Sequence, residues 1–318
     1  MQKLYGFLSL MILISLQACE EDISVDLPES EQNLVVEGYV ENGAPPYVLL
    51  NQDASYFSET SLQKLQTLYV DSADVTISTQ DDTLELQRYN SKDFNASQQK
   101  GLANILQVKP EDITGADGIG VTFYTIPIND SVINNPITTG KLNQDYSLQV
   151  KTDQYEATAS TRTPKQAKLD SLIFEPHPEI DSLVQVFIFV DDRAGEQNFY
   201  RYFTKRNDEP FYAPNLGSVA SDDPVQGAKF KFPINRAQPA SADFDEETFG
   251  YFTRGDRVVV KFCALPKAHY DFWGTLEEDL RNQGNPFGSP TQARSNVNGA
   301  LGVWGGYGCD YDTLKIPQ

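Results

Sequence analysis

Along most of the chain, apolar and polar residues alternate with a period of two. In YSLQVKT, Tyr146, Leu148 and Val150 fall on one side, and Ser147, Gln149 and Lys151 on the other. ADVTIST alternates Val75 and Ile77 with Thr76 and Ser78; DTLELQ alternates Leu84 and Leu86 with Glu85 and Gln87. Successive side chains of a strand point to opposite faces, so this pattern predicts half-buried strands of antiparallel sheets. NLVVEGYV runs into a turn at Asn42-Gly43 before PYVLL begins, and Gly, Pro, Asn and Asp punctuate the other gaps. VQVFIFV, residues 184–190, is continuously apolar and predicts a strand covered on both faces.

Helical period is scarce. SLQKLQTL (61–68) and QKGLANIL (99–106) are short. PKAHYDFWGTLEEDLRNQG predicts one helix over about 267–283, with Pro266 in its first turn and Gly284 at its end. Trp273, Leu276 and Leu280 share a stripe that should lie on a sheet face. The expected fold is all-β: two β-sandwich-like domains, immunoglobulin- or transthyretin-like, with one helix in the second. Strand patterning stops at TPKQAKLD (163–170), so the domains are read as 31–163 and 164–318. A chain of 318 residues, 40% hydrophobic, can build two cores.

The first thirty residues follow a different pattern. Lys3 precedes the apolar run Leu4–Leu16, which as a helix would span about 20 Å, short of a ~30 Å hydrocarbon core. Residues 1–18 therefore read as a secretory signal, and 19–30 as a polar tether. Leu16-Gln17-Ala18-Cys19 resembles a bacterial lipobox, although Gln17 departs from its small or β-branched residue. That resemblance implies acylation (palmitate) of Cys19, and more than one chain is what gives firm anchorage. Glu20, Glu21 and Asp22 resemble the acidic signal that sends Bacteroidota lipoproteins to the cell surface.

Charge and motifs narrow the chemistry. With 25 basic against 45 acidic residues, a net of -20, the chain lacks the cationic footprint that a nucleic-acid partner or an anionic lipid surface would require. Its two histidines, His177 and His269, have no metal-ligand spacing, and no C-x-x-C occurs. Ser218 sits in no nucleophile elbow. We therefore expect no catalytic residue, no metal and no cofactor. Paired carboxylates could support glycoside hydrolysis, but nothing in the sequence selects a pair. DFDEET (243–248) and DDRAGEQN (191–198) read as solvated loops. The glycines of GALGVWGGYG read as close-approach positions that let Trp304 and Tyr307 sit near the helix. Cys263 and Cys309 either pair outside the cytoplasm or stay as buried thiols. Phe199, Tyr200, Tyr202, Phe211 and Tyr212 are candidate binding aromatics, suited to sugar stacking or a protein hot spot; alternation would send half of them into a core.

GDRVVVKF, HYDFW, NPFGSP and SNVNGALGVWGGYGCDYDTLKI, in that order, with NLVVEGYVENG and YEATASTRTP earlier, resemble a Bacteroidota outer-membrane lipoprotein family of unknown function, the domain-of-unknown-function 4249 type. DDRAGEQNFYRYF is also similar, with Asp192 and Arg193 where a proline is common. Such proteins are often encoded beside TonB-dependent receptors. The resemblance implies a lipid-anchored, non-enzymatic outer-membrane accessory, facing the cell exterior, that helps such a receptor capture or gate a substrate. The alternatives are a structural or assembly component of the outer membrane, or a surface glycan hydrolase.

Overall fold

The computed structural model describes residues 32–53, 68–113, 120–127, 137–191, 195–214, 217–223, 229–239, 242, 245–282 and 292–318. The leader, the tether, SLQKLQTL as far as residue 67, and Gly284 lie outside them.

The N-terminal half supplies β1 (Leu34–Glu41), β2 (Tyr47–Gln52), β3 (Asp74–Ser78), β4 (Thr83–Asn90), β5 (Thr122–Thr125), β6 (Asp145–Lys151) and β7 (Glu156–Arg162). The C-terminal half supplies β8 (Leu169–Pro176), β9 (Leu183–Asp191), β10 (Phe199–Arg206), β11 (Val219–Ser221) and β12 (Lys229–Ile234). It continues with β13 (Phe252–Thr253), β14 (Arg257–Leu265), β15 (Val297–Asn298) and β16 (Leu301–Lys315). The α-helices among the described residues are α1 (Ala96–Leu106), α2 (Pro110–Ile113) and α3 (Lys267–Asn282). The protein is thus mostly β and sandwich-like, with one helix in its C-terminal half.

Twelve strands form one sheet in the order β11-β10-β14-β16-β1-β2-β5-β4-β3-β6-β7-β15. A second sheet is centred on β9, which pairs with β8, β12 and β13. The boundary read at 163–164 falls where the chain leaves β7 in the large sheet for β8 in the small one. β16 joins the two halves. Its start runs parallel to β1, from Val35 opposite Leu301 to Glu41 opposite Tyr307. Its end runs antiparallel to β14, with Cys263 opposite Cys309. Gln32–Gln318 consequently cluster as one compact unit.

Alternation places the side chains. In β6, Tyr146, Leu148 and Val150 are buried, and their polar neighbours are exposed. The first core gathers inward positions of β1, β2, β3, β4, β6 and β7 around Trp304, whose Nε1 donates to the Tyr146 carbonyl at 3.2 Å. Trp304 and Tyr307 do not both approach α3: period two turns Trp304 into this core, and Val303 and Tyr307 towards the helix. The second core packs Val184, Val186, Ile188 and Val190 of β9 against Tyr200, Tyr202, Val258, Val260 and Phe262. The continuous apolar run of β9 is therefore fully buried on one face only. Gln185, Phe187 and Phe189 on the other are half-buried, and Lys231 lies over the Phe187 ring at 3.8 Å.

α3 starts after Pro266, whose carbonyl accepts from His269 N at 3.1 Å and Tyr270 N at 3.0 Å. Its buried residues are His269, Phe272 and Glu277, with Trp273 and Leu276 packed beside them; Leu280, expected on the same stripe, is exposed. α1 is longer than its apolar pattern indicates, because a capping box starts it. Asn95 Oδ1 accepts from Ser97 N at 3.0 Å and Gln98 N at 3.1 Å, and Gln98 Oε1 accepts from Asn95 N at 3.0 Å. Leu102 and Ala103 then bury α1 on Val121 and Phe123.

Candidate functional site

The face of the large sheet that carries α3 is built from alternate positions of four neighbouring strands. β1 contributes Glu37, Tyr39 and Glu41; β10, Arg201 and Phe203; β14, Lys261 and Cys263; β16, Tyr307, Cys309 and Tyr311. The helix does not cover the whole face. A hollow of about 210 Å³ remains, reaching from this face to the C-terminal end of α1. Tyr39, Tyr47, Phe203, Phe211, Tyr307 and Tyr311 line it. The rings contact one another in sequence: Tyr39 meets Tyr47 at 5.6 Å and Tyr307 at 5.5 Å, Phe203 meets Tyr307 at 5.9 Å, and Phe211 meets Tyr311 at 5.9 Å. Ile105 and Tyr311 are exposed at its margin.

One cation stands in this aromatic wall. Lys261 Nζ lies 5.0 Å from the Phe203 centroid, 5.7 Å from that of Tyr307 and 5.9 Å from that of Tyr311. It also pairs with Glu41, and the Tyr311 hydroxyl donates to the same carboxylate. The two charged side chains are only 15% and 16% exposed, so each depends on the other for compensation. Burial, and then the Glu41 charge, push the Tyr311 hydroxyl far above the usual phenol range. Tyr307 is pushed up to about 12 by burial, against the opposing pull of Arg201. These phenols remain protonated: Tyr311 donates to Glu41, Tyr307 accepts from Arg201, and both rings serve as apolar walls.

Below the hollow, Arg201 is 4% exposed. Its Nε donates to Ser218 Oγ at 3.1 Å and its Nη1 to the Tyr307 hydroxyl at 2.9 Å. Its guanidinium carbon lies 3.4 Å from the Trp273 ring centroid. Ser218 Oγ in turn donates to Glu277 of α3. His269 is buried between the rings of Tyr39 and Tyr307, at 5.5 Å and 4.6 Å. Trp273 Nε1 donates to its Nε2 at 3.1 Å, which assigns the proton to Nδ1, facing the Gly306 carbonyl at 3.4 Å. Burial, and then the Arg201 charge, lower its pKa to about 3, so the ring is neutral. A Cβ on Gly305 would run into this imidazole, so only glycine fits under it.

The sequence candidates fall in different places. Cys19 lies outside the described residues. Cys263 and Cys309 face each other across β14 and β16 and form a disulfide, fully buried beside the hollow. The five aromatics do not share one surface. Phe211 lines the aromatic hollow, and Tyr212 lines a neighbouring one. Phe199 packs on Tyr270 at 4.7 Å. Tyr200 stacks on Phe262 at 4.9 Å, and the Tyr202 hydroxyl accepts from Asn235 N at 3.3 Å, both inside the second core. Strand alternation separates them, since Phe199 and Tyr200 must face opposite ways. His177 is a turn residue whose Nδ1 accepts from Glu179 N at 3.1 Å and Ile180 N at 3.0 Å. Among the described residues no group of three His, Cys, Asp or Glu side chains could hold a metal.

Arg201 and Lys261 were not singled out from the sequence. A signal was present: each is a cation flanked on both sides by apolar or aromatic residues inside a strand, in FYRYF and VVVKFCAL. Such charges are rarely buried without partners. Tyr39 and Tyr47 face each other across the β1–β2 hairpin, but they reach Tyr307 and Tyr311 only through the β1–β16 pairing, which gives no local signal.

Fold and site together define a mostly β, sandwich-like protein with an aromatic hollow where its two halves meet. The chain belongs to the family described as Domain of unknown function (DUF4249), whose profile matches residues 20–310. No curated protein and no solved structure matches it.

Proposed function

We propose that this chain is a lipid-anchored accessory of the bacterial outer membrane, facing the cell exterior, that helps a TonB-dependent receptor capture its substrate without transforming it. The apolar leader ending at Cys19 supports the anchor, and the likeness to Bacteroidota lipoproteins supports the setting. The observation that carries the binding role is the aromatic hollow. It offers ring faces to a ligand, and its charged and phenolic groups are already engaged: Lys261 and Tyr311 with Glu41, Tyr307 with Arg201, Tyr39 with Glu37, and Tyr47 with the Ile105 carbonyl. Glu41 is the one carboxylate lining it among the described residues. Hydrolysis of a glycan would need two opposed carboxylates, so this hollow favours holding a ligand over cleaving one.

Growth of a strain lacking this protein tests the reading. A defect confined to particular nutrients is expected. An equal defect on every carbon source would favour a structural or assembly role in the outer membrane instead.

A further inference from the structure

A second hollow, of about 260 Å³, borders Gln107, the residue that caps the C-terminal end of α1, and it contains a buried cation. Its apolar wall includes Leu106, Leu276 and Leu280, and its charged members are Glu37, Arg201 and Glu277. Arg201 is nine-tenths buried and more, yet its guanidinium forms no ion pair among the described residues. Its Nε and Nη1 are hydrogen-bonded to Ser218 and Tyr307, while Nη2 meets no acceptor among the described residues. Glu37 acts on it only through space, without a hydrogen bond or close ion pair, and a buried cation so weakly compensated is costly to keep.

The two carboxylates differ in what they have left to offer. Glu277 is saturated: Gly217 N donates to it at 2.7 Å, Ser218 N at 3.2 Å, and Ser218 Oγ also donates to it. Glu37 accepts on Oε1 from the Tyr39 hydroxyl at 3.0 Å, and its Oε2 has no partner among the described residues. The hollow therefore presents open N–H donors, one open carboxylate oxygen and an apolar wall.

We propose that this hollow binds a free α-amino acid with an apolar side chain. Arg201 receives its carboxylate, Glu37 its ammonium group, and Leu106, Leu276 and Leu280 its side chain. The charges select this class. An anion alone would be opposed by Glu37 and Glu277, and a cation alone would leave Arg201 unpaired. A zwitterion satisfies both open groups and adds no net charge. The site is separate from the aromatic hollow, and it stands whether or not a receptor partners the chain.

Isothermal titration of the acylated chain in mild detergent tests the assignment, with L-leucine, L-phenylalanine, 4-methylpentanoate and 3-methylbutylamine as probes. At least one of the two amino acids is expected to bind, with both singly charged analogues at least about 10-fold weaker. Glu37→Gln, on a half-buried strand position, should weaken amino-acid binding by a similar factor without lowering the melting temperature, since Glu37 is a desolvated carboxylate whose neutral form favours the fold. The comparison of probes on the unaltered chain needs no variant to fold. Equal binding of amino acids and analogues, undiminished binding by Glu37→Gln, or no binding of either amino acid at about 10 mM would overturn the proposal.

Discussion

His269 makes the stability of this protein depend on pH in a direction its structure dictates. The folded ring has a pKa of about 3 against an ordinary 6.5, because burial and then Arg201 oppose its charged form. Above about pH 6.5 the ring is neutral in both folded and unfolded chains and contributes no pH dependence. Between about 6.5 and 3 the unfolded chain takes a proton that the folded chain refuses. Stability is then lost as pH falls, by about 1.4 kcal/mol per unit, or about 2 kcal/mol between pH 7 and 5. Glu37 acts in the opposite sense. Desolvation raises its folded pKa, against the Tyr39 hydrogen bond and Arg201, so its protonation favours the fold as pH falls. The wild-type slope alone is therefore mixed, and the difference from a variant isolates the imidazole. His269→Gln can keep an acceptor for Trp273 Nε1 and a donor for the Gly306 carbonyl. Lost ring contacts with Tyr39 and Tyr307 should cost about 1–3 kcal/mol at pH 7, but that offset does not enter the slope. Urea unfolding at several pH values gives both lines, with unchanged m-values as the check on two-state behaviour. The variant should lose about 2 kcal/mol less than wild type between pH 7 and 5. Parallel lines would refute the reasoning.

Other expectations concern the same face of the sheet. Replacing Cys263 and Cys309 together by alanine should cost about 4 kcal/mol in the chain-entropy model, given a separation of 46 residues; a shift in urea midpoint worth less than about 1 kcal/mol would contradict that. Lys261→Met strands Glu41 in a largely desolvated wall and should cost about 2–4 kcal/mol, with much of it recovered when Glu41→Gln is added, as a double-mutant cycle will read out. Gly306→Ala would drive a Cβ into the Arg162 carbonyl, which is backbone and cannot yield, so little folded protein should be recovered. Gly101→Ala in α1 meets nothing within 4 Å and should raise the melting temperature, by up to about 1 kcal/mol of stability.

Much of the secondary structure was legible because period two is a local signal. Tyr146, Leu148 and Val150 declare the buried face of β6 without reference to any other strand. α3 was legible for the same reason, from Pro266 and the apolar positions that follow. The outcome at Leu280 was not, since its exposure depends on how far the sheet face extends beneath the helix. Pairing was the larger gap. The parallel contact of β1 with β16 joins residues more than half the chain apart, and no local pattern encodes it. That pairing brings Tyr39 and Glu41 to Tyr307, and so creates the aromatic hollow. Arg201 and Lys261 were visible as misplaced charges, but their partners come from other strands and from α3.

The most direct test of the functional reading is recovery of the tagged, acylated chain from native outer membranes in mild detergent, with mass spectrometry of whatever elutes beside it. A TonB-dependent receptor should elute with it in near-equal amount, and Cys19→Ala should abolish the association. Recovery of the chain with its lipid intact and no such receptor would contradict the account.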